Sequence, residues 1–341
     1  MVIFNPEIFR AYDIRGIYGK DFDEEFAFCL GTALVRYINK KKFLVAHDDR
    51  QFSRKLADSL CRGIASAGAD VEYLGLATTP LFNFAFKKLG VNGGTVLTAS
   101  HLGPEYGGFK IFGEGGTIVR LNNGLEQIKS ILIKEGNQKI SKYSGQIVRV
   151  NQQKLIGAYV NFIIKEVGWG GGDADAVKFK AKPSPAAQPE MAALFNASGL
   201  QESEQDLDVS FEFDGDADRI HVLNATGQSM RADHITALLA QDQIRFWHKP
   251  KVVYDLRFSK GVLEKFALWG TKMIRSGAGR AFMRESMARH CADIGGELSG
   301  HIYLKKVNYN EMPLLVMLRL LKIMNRSGKS IGELTEQFKT W

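Results

Sequence analysis

The sequence has little cysteine and no long apolar run, and each absence excludes a class of protein. Its three cysteines, Cys29, Cys61 and Cys291, are odd in number, widely spaced and never in a C-x-x-C pair, which argues against a disulfide framework or a cysteine zinc site. No stretch is long and apolar enough to span a bilayer, and the start lacks the pattern of a signal peptide. We therefore expect a cytoplasmic protein with reduced thiols and no membrane partner.

Charge of one sign is not concentrated anywhere along the chain. The net charge is +8, but 37 acidic residues are interspersed among 45 basic ones, and the longest basic run is only the three lysines at 40–42. This pattern does not favour a nucleic-acid partner, whereas a small anionic substrate fits it well.

Short β-rich runs alternate with helical patterns, which predicts an α/β protein. In the first part of the chain, strands are expected at 43–49, 71–76 and 93–100. Ser53 is the expected cap of a helix that runs to about residue 67, and Thr79 the expected cap of a helix whose first turn contains Pro80.

The later part of the chain continues the alternation. Strands are expected at 177–180, 209–213, 251–256 and 271–276. One helix is expected at about 186–197, another begins near residue 234, and a long final helix is expected, with an amphipathic core helix at 312–324. A surface turn is expected at 168–177. We divide the chain into three α/β domains at 1–145, 146–247 and 248–341.

Three aspartates follow the apolar run VSFEF at alternate positions, Asp214, Asp216 and Asp218, with Arg219 directly after them. Carboxylates this close repel unless a positive group lies among them, and hard oxygen ligands suit Mg²⁺. An EF-hand begins with the same spacing, but Arg219 and Ala225 stand where it needs glycine and glutamate. A haloacid-dehalogenase-type phosphatase also has D-x-D after a strand, although it normally has threonine or valine at position 218. A solvated acidic turn is the remaining alternative.

Three further stretches are candidate ligand loops. TASHLGPEYGGFK places Ser100 at a strand end with His101 beside it and Lys110 further on, although a capping hydroxyl is the alternative. GGELSGH places Glu297, Ser299 and His301 at alternate positions. A carboxylate and a hydroxyl in this arrangement can hydrogen-bond to neighbouring sugar hydroxyls, and an ordinary turn is the alternative.

FRAYDIRGIYG contains an arginine, Arg15, close to Asp13. An arginine in such a loop can hold a phosphate bidentately. A structural ion pair with Asp13 is the alternative.

Together and in this order, FRAYDIRG, TASH, DGDADR and GELSGH resemble the α-D-phosphohexomutase family, and more narrowly its bacterial phosphomannomutase/phosphoglucomutase branch. The similarity extends from about Ile8 to the end of the sequence. It implies α/β domains with mixed sheets between helices, and the interconversion of hexose 1- and 6-phosphates of mannose, glucose or both.

The resemblance also assigns roles to residues. Ser100 would carry a phosphoryl group and pass it to the sugar through a hexose bisphosphate, and hexose 1,6-bisphosphate would act as activator. One Mg²⁺ would be held by Asp214, Asp216, Asp218 and the Ser100 phosphate. The reacting phosphate would be surrounded by Arg219, Arg15, His101 and Lys110, with Lys110 as candidate acid or base. The substrate contacts would be Glu297, Ser299, His301, Tyr12, Arg257 and Arg280.

The sequence departs from the family pattern at several positions. In the serine loop, Leu102 and Gly103 replace asparagine and proline, and Gly107 replaces a second asparagine, which should loosen the loop and remove hydrogen bonds. Arg280 stands where a histidine is typical, and the second domain is short, with KAKPSPAAQ in place of an Asn-Gly turn.

The family's fourth domain, which holds the non-reacting phosphate, is not recognised before the sequence stops at Trp341. We therefore expect a raised KM, a lowered kcat and escape of the bisphosphate, unless a separate chain supplies the domain. A monomer or weak oligomer is expected. The alternatives to an active mutase are a non-catalytic protein that binds sugar phosphate or a partner, and a residual phosphatase in which water takes the phosphate.

Overall fold

A computed structural model describes residues 4–135, 144–170, 177–203, 205–244 and 249–339. The chain forms two compact units, Met1–Leu155 with one sheet and Ile156–Trp341 with two, and each unit has its own helices. The alternation of strands and helices confirms the predicted α/β class. Among the described residues, none of the helices has the length and apolar character needed to cross a membrane.

The first unit is built on a six-stranded mixed sheet of order β1-β5-β4-β2-β3-β6. Strands β2, β3, β4 and β6 run parallel, whereas β5 is antiparallel to both of its neighbours. The elements are β1 Ile14–Ile17, α1 Glu24–Ile38, β2 Lys42–His47, α2 Ser53–Ser66, β3 Asp70–Leu76, α3 Thr79–Leu89, β4 Gly93–Leu97, β5 Tyr106–Phe112, α4 Leu125–Glu135 and β6 Ile147–Arg149, with α5 Gln152–Val167 running into the second unit.

Strand β2 lies at the centre of this unit and is buried from Phe43 to His47 without interruption. A strand shows this pattern when both faces of its sheet are covered. Helix α2 packs on β2 and β3, and α3 packs on β2 and β4. Because β2, β3 and β4 are parallel, the residues that follow them all emerge at one edge of the sheet, where loops can approach one another.

Two predicted helix caps are wrong by one residue. Ser53 is the first residue of α2 rather than its cap, and its hydroxyl donates to Asp48 Oδ1 at 2.5 Å instead of accepting from the helix. Helix α3 is capped by Thr78, whose Oγ1 accepts from Leu81 N at 3.1 Å, so that Thr79 is the first helical residue. At α3 two adjacent threonines offer equivalent hydroxyls, and at α2 the cap residue is Phe52, which makes no side-chain cap hydrogen bond, so the local sequence marked neither start.

The second unit contains a three-stranded sheet of order β7-β8-β9 and a five-stranded sheet of order β11-β10-β12-β13-β14. Its elements are β7 Phe179–Lys182, α6 Gln188–Ser198, β8 Val209–Phe213, β9 Ile220–Asn224, α7 Ala232–Ile244, β10 Lys251–Asp255, α8 Lys260–Leu268, β11 Lys272–Ser276, α9 Arg280–His290, β12 Ile294–Gly296, β13 Ile302–Leu304, β14 Asn310–Glu311, α10 Pro313–Ser327 and α11 Ile331–Glu336.

The helix predicted at 312–324 is α10, and most of its residues are buried, which confirms a core helix. It is not the last helix, however, because the short α11 follows it, capped by Ser330 and Glu333 in a capping box. Helix α7 packs against β12, α10 and α11.

The division into three domains at 145 and 247 stays a prediction. Most of the turn predicted at 168–177 lies outside the described residues.

Candidate active site

The serine loop begins where β4 ends. Thr98 N bonds back to Gly108 O on β5 at 3.0 Å, and Thr98 Oγ1 accepts from Ser100 N at 2.9 Å. Ser100 itself is held in the left-handed region, at φ +53°, which a residue with a side chain adopts only when its surroundings favour it. The neighbouring His101 places Nδ1 3.4 Å from Ser100 Oγ. The loop therefore presents one serine hydroxyl in a defined and strained geometry.

Arg15 and Lys110 lie on the same face of the sheet from which the serine loop emerges. Arg15 on β1 is opposite Gly108 on β5, and Lys110 is two residues further along β5. Residues two apart on a strand share a face with their cross-strand partners. The ion pair that we considered as an alternative is formed, because Arg15 Nε lies 2.7 Å from Asp13 Oδ2. Tyr12 precedes this strand and is half-buried.

The main residue that sequence reasoning missed in this unit is Arg50. Its guanidinium donates to backbone carbonyls of the serine loop and to Asp48, the residue directly after β2. The available signal was the DDR sequence at the end of a buried parallel strand, where side chains point to the same edge as the serine loop.

Gly107, which departs from the family pattern, has a packing role that the sequence did not indicate. A Cβ at this position would lie 2.9 Å from the ring atoms of both Phe22 and Phe52. Glycine is therefore required by the aromatic rings packed beneath β5, and the asparagine usual in the family would need those rings to move.

In the second unit, the acidic loop connects β8 to β9. The ligand oxygens of Asp214, Asp216 and Asp218 all lie within 4.8 Å of one another, and Asp216 and Asp218 are buried. Ala217 lies between them at φ +52°, so the chain turns sharply enough for side chains at alternate positions to converge. Three carboxylates at this separation form an all-oxygen donor set, which fits Mg²⁺.

Cations from the chain itself also lie among these carboxylates. Arg219 Nε donates to Asp214 Oδ2 at 3.0 Å, Arg280 Nη1 lies 3.6 Å from Asp218 Oδ2, and His301 Nε2 lies 3.3 Å from Asp218 Oδ1. Burial opposes the charge on His301, but Asp218, Glu311 and Glu297 together outweigh it and raise the pKa of the imidazole. From the sequence we expected a metal ion to neutralise the aspartates, and the structure shows that these three side chains also place positive charge beside them.

Arg280 is a mostly buried cation that lies between two carboxylates. Its Nη2 lies 2.8 Å from Glu311 Oε2, and only 12% of its side chain is exposed. Burial disfavours the guanidinium charge, yet Glu311 and Asp218 outweigh this and raise the pKa of Arg280. Glu311, on the two-residue strand β14, was not singled out from the sequence because nothing local marks it.

We expect the removal of the Arg280 charge to destabilise the protein strongly. Arg280→Met would leave Asp218 and Glu311 buried beside an apolar side chain, and breaking a buried ion pair in this way costs about 3–5 kcal/mol. Urea denaturation measures the loss. Arg289→Met, on the same helix, is the matched control because Arg289 is exposed and its pairing with Glu285 is worth only about 0.5 kcal/mol. Equal losses in the two variants would contradict this account.

The GELSGH segment joins β12 to β13 and lies directly against the acidic loop. Ile220 N, at the start of β9, donates to Gly300 O at 3.2 Å. Gly300 is at φ +95°, and a Cβ there would lie 3.1 Å from Ile220 O, so both its conformation and its close contact require glycine. Through this contact and the His301–Asp218 contact, the structure brings the predicted metal and sugar loops together.

Glu297 and Ser299 are positioned by different partners within that segment. Glu297 is almost fully buried, accepts from Gly279 N at 2.6 Å through Oε1 and from Tyr303 OH at 2.5 Å through Oε2. Burial together with Glu311 and Glu297 raises the pKa of Tyr303 well above its ordinary value, so it stays a donor. Ser299 Oγ is half-buried and lies 2.8 Å from His301 Nδ1.

Asp255, at the end of β10, supports the same segment and was also missed. Its Oδ2 accepts from Leu298 N at 3.0 Å and from Arg257 Nη2 at 2.6 Å. Arg257 is therefore held beside the GELSGH segment with half of its side chain exposed. Of the two arginines predicted to contact substrate in this unit, Arg257 has the more exposed side chain and Arg280 the less exposed one.

The chain is similar to known proteins over most of its length. The family model for phosphoglucomutase/phosphomannomutase α/β/α domain I matches residues 6–139, and that for domain III matches residues 231–341. A phosphomannomutase of Methanocaldococcus jannaschii is 32% identical, over 98% of this chain and 80% of the relative. A phosphoglucomutase of Neisseria gonorrhoeae is 27% identical, over 96% of this chain and 77% of the relative.

Solved structures show the same fold. A putative phosphomannomutase from Thermus thermophilus aligns with a TM-score of 0.86 at 20% identity, covering 97% of this chain and 82% of the other. A phosphoglucomutase/phosphomannomutase family protein from Burkholderia thailandensis aligns with a TM-score of 0.83 at 24% identity, covering 97% and 80%. On the similarity of sequence over nearly its whole length, the chain belongs to the phosphoglucomutase/phosphomannomutase family and is a phosphohexomutase.

Proposed function

We propose that this phosphohexomutase interconverts hexose 1-phosphates and hexose 6-phosphates of mannose, glucose or both through a phosphoserine at Ser100. The observation that carries the proposal is the serine loop, in which Ser100 is strained into the left-handed region and flanked by His101. Arg15 and Lys110, on one face of the adjoining strands, add the positive charge that a phosphoryl group needs.

In the proposed reaction, a sugar hydroxyl attacks the phosphorus of phosphorylated Ser100, the bond from phosphorus to Ser100 Oγ breaks, and a hexose 1,6-bisphosphate forms. The other phosphate of that bisphosphate then returns to Ser100 Oγ, which releases the isomerised monophosphate. Each transfer moves one proton from the attacking hydroxyl and returns one to the oxygen that leaves. Lys110 is the proposed acid or base for this proton, as the resemblance implies, and it lies on the same face of the sheet as Arg15.

Asp214, Asp216 and Asp218 are the residues that we propose hold Mg²⁺, because their oxygens converge and are hard donors. When bound, Mg²⁺ supplies positive charge that offsets the negative charge on phosphoryl oxygens. Arg219, held by Asp214, supplies a second positive group at this loop. That the Ser100 phosphate is a further metal ligand, and that hexose 1,6-bisphosphate is needed as activator, stay predictions from the resemblance.

The GELSGH segment is the proposed sugar-binding element. Ser299 offers a hydroxyl, and each Glu297 oxygen, although already hydrogen-bonded, has a second lone pair that can accept from a sugar hydroxyl. Arg257 and Arg280 are the other proposed contacts, and Arg257 is the more accessible of the two. Phosphorylated sugars as substrates, together with free cysteines, fit an enzyme of the cytoplasm.

The proposed reaction can be tested directly by phosphorus NMR. The protein is mixed with glucose 1-phosphate or mannose 1-phosphate, Mg²⁺ and a trace of the matching bisphosphate. Appearance of the 6-phosphate supports the proposal and shows which sugar is preferred. Release of inorganic phosphate without isomerisation would instead identify a phosphatase, and no change in either substrate would contradict both activities.

We expect Ser299→Ala to weaken substrate binding without loss of the fold. The change removes one neutral hydrogen bond, worth about 0.5–1.5 kcal/mol, so KM should rise roughly two- to tenfold with kcat less affected. Ser286→Ala on α9 is the control, since its hydroxyl lies outside the segment. An unchanged KM in Ser299→Ala would remove this hydroxyl from the proposed sugar contacts.

A further inference from the structure

The guanidinium of Arg50 is enclosed by the serine loop. Nη1 donates to Gly103 O at 2.5 Å and to Tyr106 O at 2.9 Å, while Nη2 donates to Ser100 O at 2.9 Å and to Leu102 O at 2.8 Å. Four carbonyls within seven residues of chain therefore point at one side chain, and that side chain is only 11% exposed.

The fifth donor of the guanidinium fixes the arginine itself. Nε donates to Asp48 Oδ2 at 3.0 Å, and Asp48 is buried directly after β2. Asp48 is held in turn by Ser53 Oγ at 2.5 Å and by its own backbone N–H, which donates to Leu97 O at 2.9 Å. All five N–H groups of Arg50 thus have acceptors, and the anchor is a rigid strand end.

Asp48 also reaches Ser100 by a second route. The Thr98 side chain hydrogen-bonds Asp48, and Thr98 Oγ1 accepts from Ser100 N at 2.9 Å. Ser100 is therefore held on its N–H side through Thr98 and on its carbonyl side through Arg50. These are the two peptide groups whose orientations determine φ and ψ of Ser100, which is the residue at φ +53°.

We propose that Arg50, anchored by Asp48, is the positioning residue of the phosphoryl-carrying loop: it holds Ser100 in the left-handed conformation that presents Oγ for phosphoryl transfer. Arg50 acts through the loop backbone and has no role in binding substrate. The proposal rests on the proposed function of Ser100. It also explains how the loop is ordered although Leu102 and Gly103 replace the asparagine and proline of the family pattern.

Arg50→Lys tests this because it keeps the charge and removes the planar fork. Lysine has three donors on one nitrogen and cannot satisfy four separated carbonyls and Asp48 together. Ser100 phosphorylation by hexose 1,6-bisphosphate, followed by intact mass, should slow about 100-fold, since a misplacement of about 1 Å has that effect. The bisphosphate concentration that gives half the maximal rate should stay within about twofold, because Arg50 does not contact substrate.

Amide hydrogen exchange of residues 98–106 is the second measurement and does not depend on phosphorylation. Exchange in Arg50→Lys should be at least about tenfold faster, while Arg62→Lys, an exposed arginine on α2, should match the wild type in both measurements. Asp48→Asn should give a smaller change of the same kind, and it serves in place of Arg50→Lys if that variant does not fold by circular dichroism. Added methylguanidinium should partly restore the labelling rate of Arg50→Ala.

The two measurements separate the possible failures. If the wild type is not labelled at Ser100, the proposed function of that serine fails, and the exchange comparison still decides whether Arg50 orders the loop. If the wild type is labelled, and Arg50→Lys is labelled at the same rate with unchanged exchange, the positioning role of Arg50 is overturned. A slower rate accompanied by a much weaker apparent affinity for bisphosphate would assign Arg50 to substrate binding and also overturn it.

Discussion

Ser100→Ala is expected to abolish both phosphorylation and mutase activity. The substitution removes the only atom of residue 100 that can form a bond to phosphorus, and no positioning or charge in the loop can replace a covalent carrier. We expect the turnover rate to fall by at least about 10⁴-fold, as when other enzymes lose their nucleophile. The fold should be retained, because a hydroxyl-to-methyl change in a loop is small.

Intact mass and peptide mapping after treatment with hexose 1,6-bisphosphate measure this expectation. The wild type should gain one phosphate on the peptide that contains Ser100, and Ser100→Ala should gain none. Ser130→Ala is the control, since its exposed hydroxyl bonds to Glu126 O on its own helix. Phosphate mapped to another residue, or activity that survives in Ser100→Ala, would show that Ser100 is not the carrier.

Replacing all three loop aspartates by asparagine is expected to eliminate Mg²⁺ binding. Asparagine preserves the size of Asp214, Asp216 and Asp218 but removes three negative charges, and charge is the main attraction for a hard divalent cation. The single change Asp216→Asn should weaken binding about 10- to 100-fold, by analogy with losses measured at metal sites. Titration calorimetry or Mn²⁺ paramagnetic resonance measures binding without reference to activity.

Thermal unfolding gives an independent measurement of the same site. A ligand at 100 times its dissociation constant stabilises a folded protein by about 2.7 kcal/mol, so Mg²⁺ should raise the Tm of the wild type and leave that of the triple variant unchanged. Asp206→Asn, at an exposed aspartate of the same unit, should behave as the wild type. Equal metal affinity in the wild type and the triple variant would disprove the metal site.

The position of these residues explains why sequence reasoning could identify the loops but not their surroundings. DGDADR, TASH and GELSGH each place their reactive side chains within a few consecutive residues, so local spacing is enough to single them out. Four charged residues lie far along the chain from the loop or side chain that they support: Arg50, Asp48, Asp255 and Glu311. Each is an ordinary charged residue on a strand or just after one. No local spacing relates them to the loops, because the contacts arise only when the strands pair.

The strands and helices were likewise predictable from the sequence only in part. Strands such as β8 Val209–Phe213 match the prediction because a short run in which apolar and polar residues alternate has few alternatives. Strands β5 and β13, which run antiparallel to their neighbours, were not separated from the ligand loops that precede them, since TASHLGPEYGGFK and GELSGHIYL each contain both a loop and a strand. The cap of α3 shifted by one residue because Thr78 and Thr79 offer the same hydroxyl, and that of α2 shifted because the Ser53 hydroxyl donates to Asp48 instead.

The sequence by itself determined the α/β class, the order of the loops and the residues that carry hydroxyl, carboxylate and guanidinium groups, because these depend on composition and local spacing. The tertiary structure alone decided which charges from distant segments meet. It placed Arg280 between Asp218 and Glu311, His301 against Asp218, and Arg50 under the serine loop. The physical reason is that each pairing is made between segments far apart in the chain, and their meeting depends on strand order and register rather than on the residues themselves.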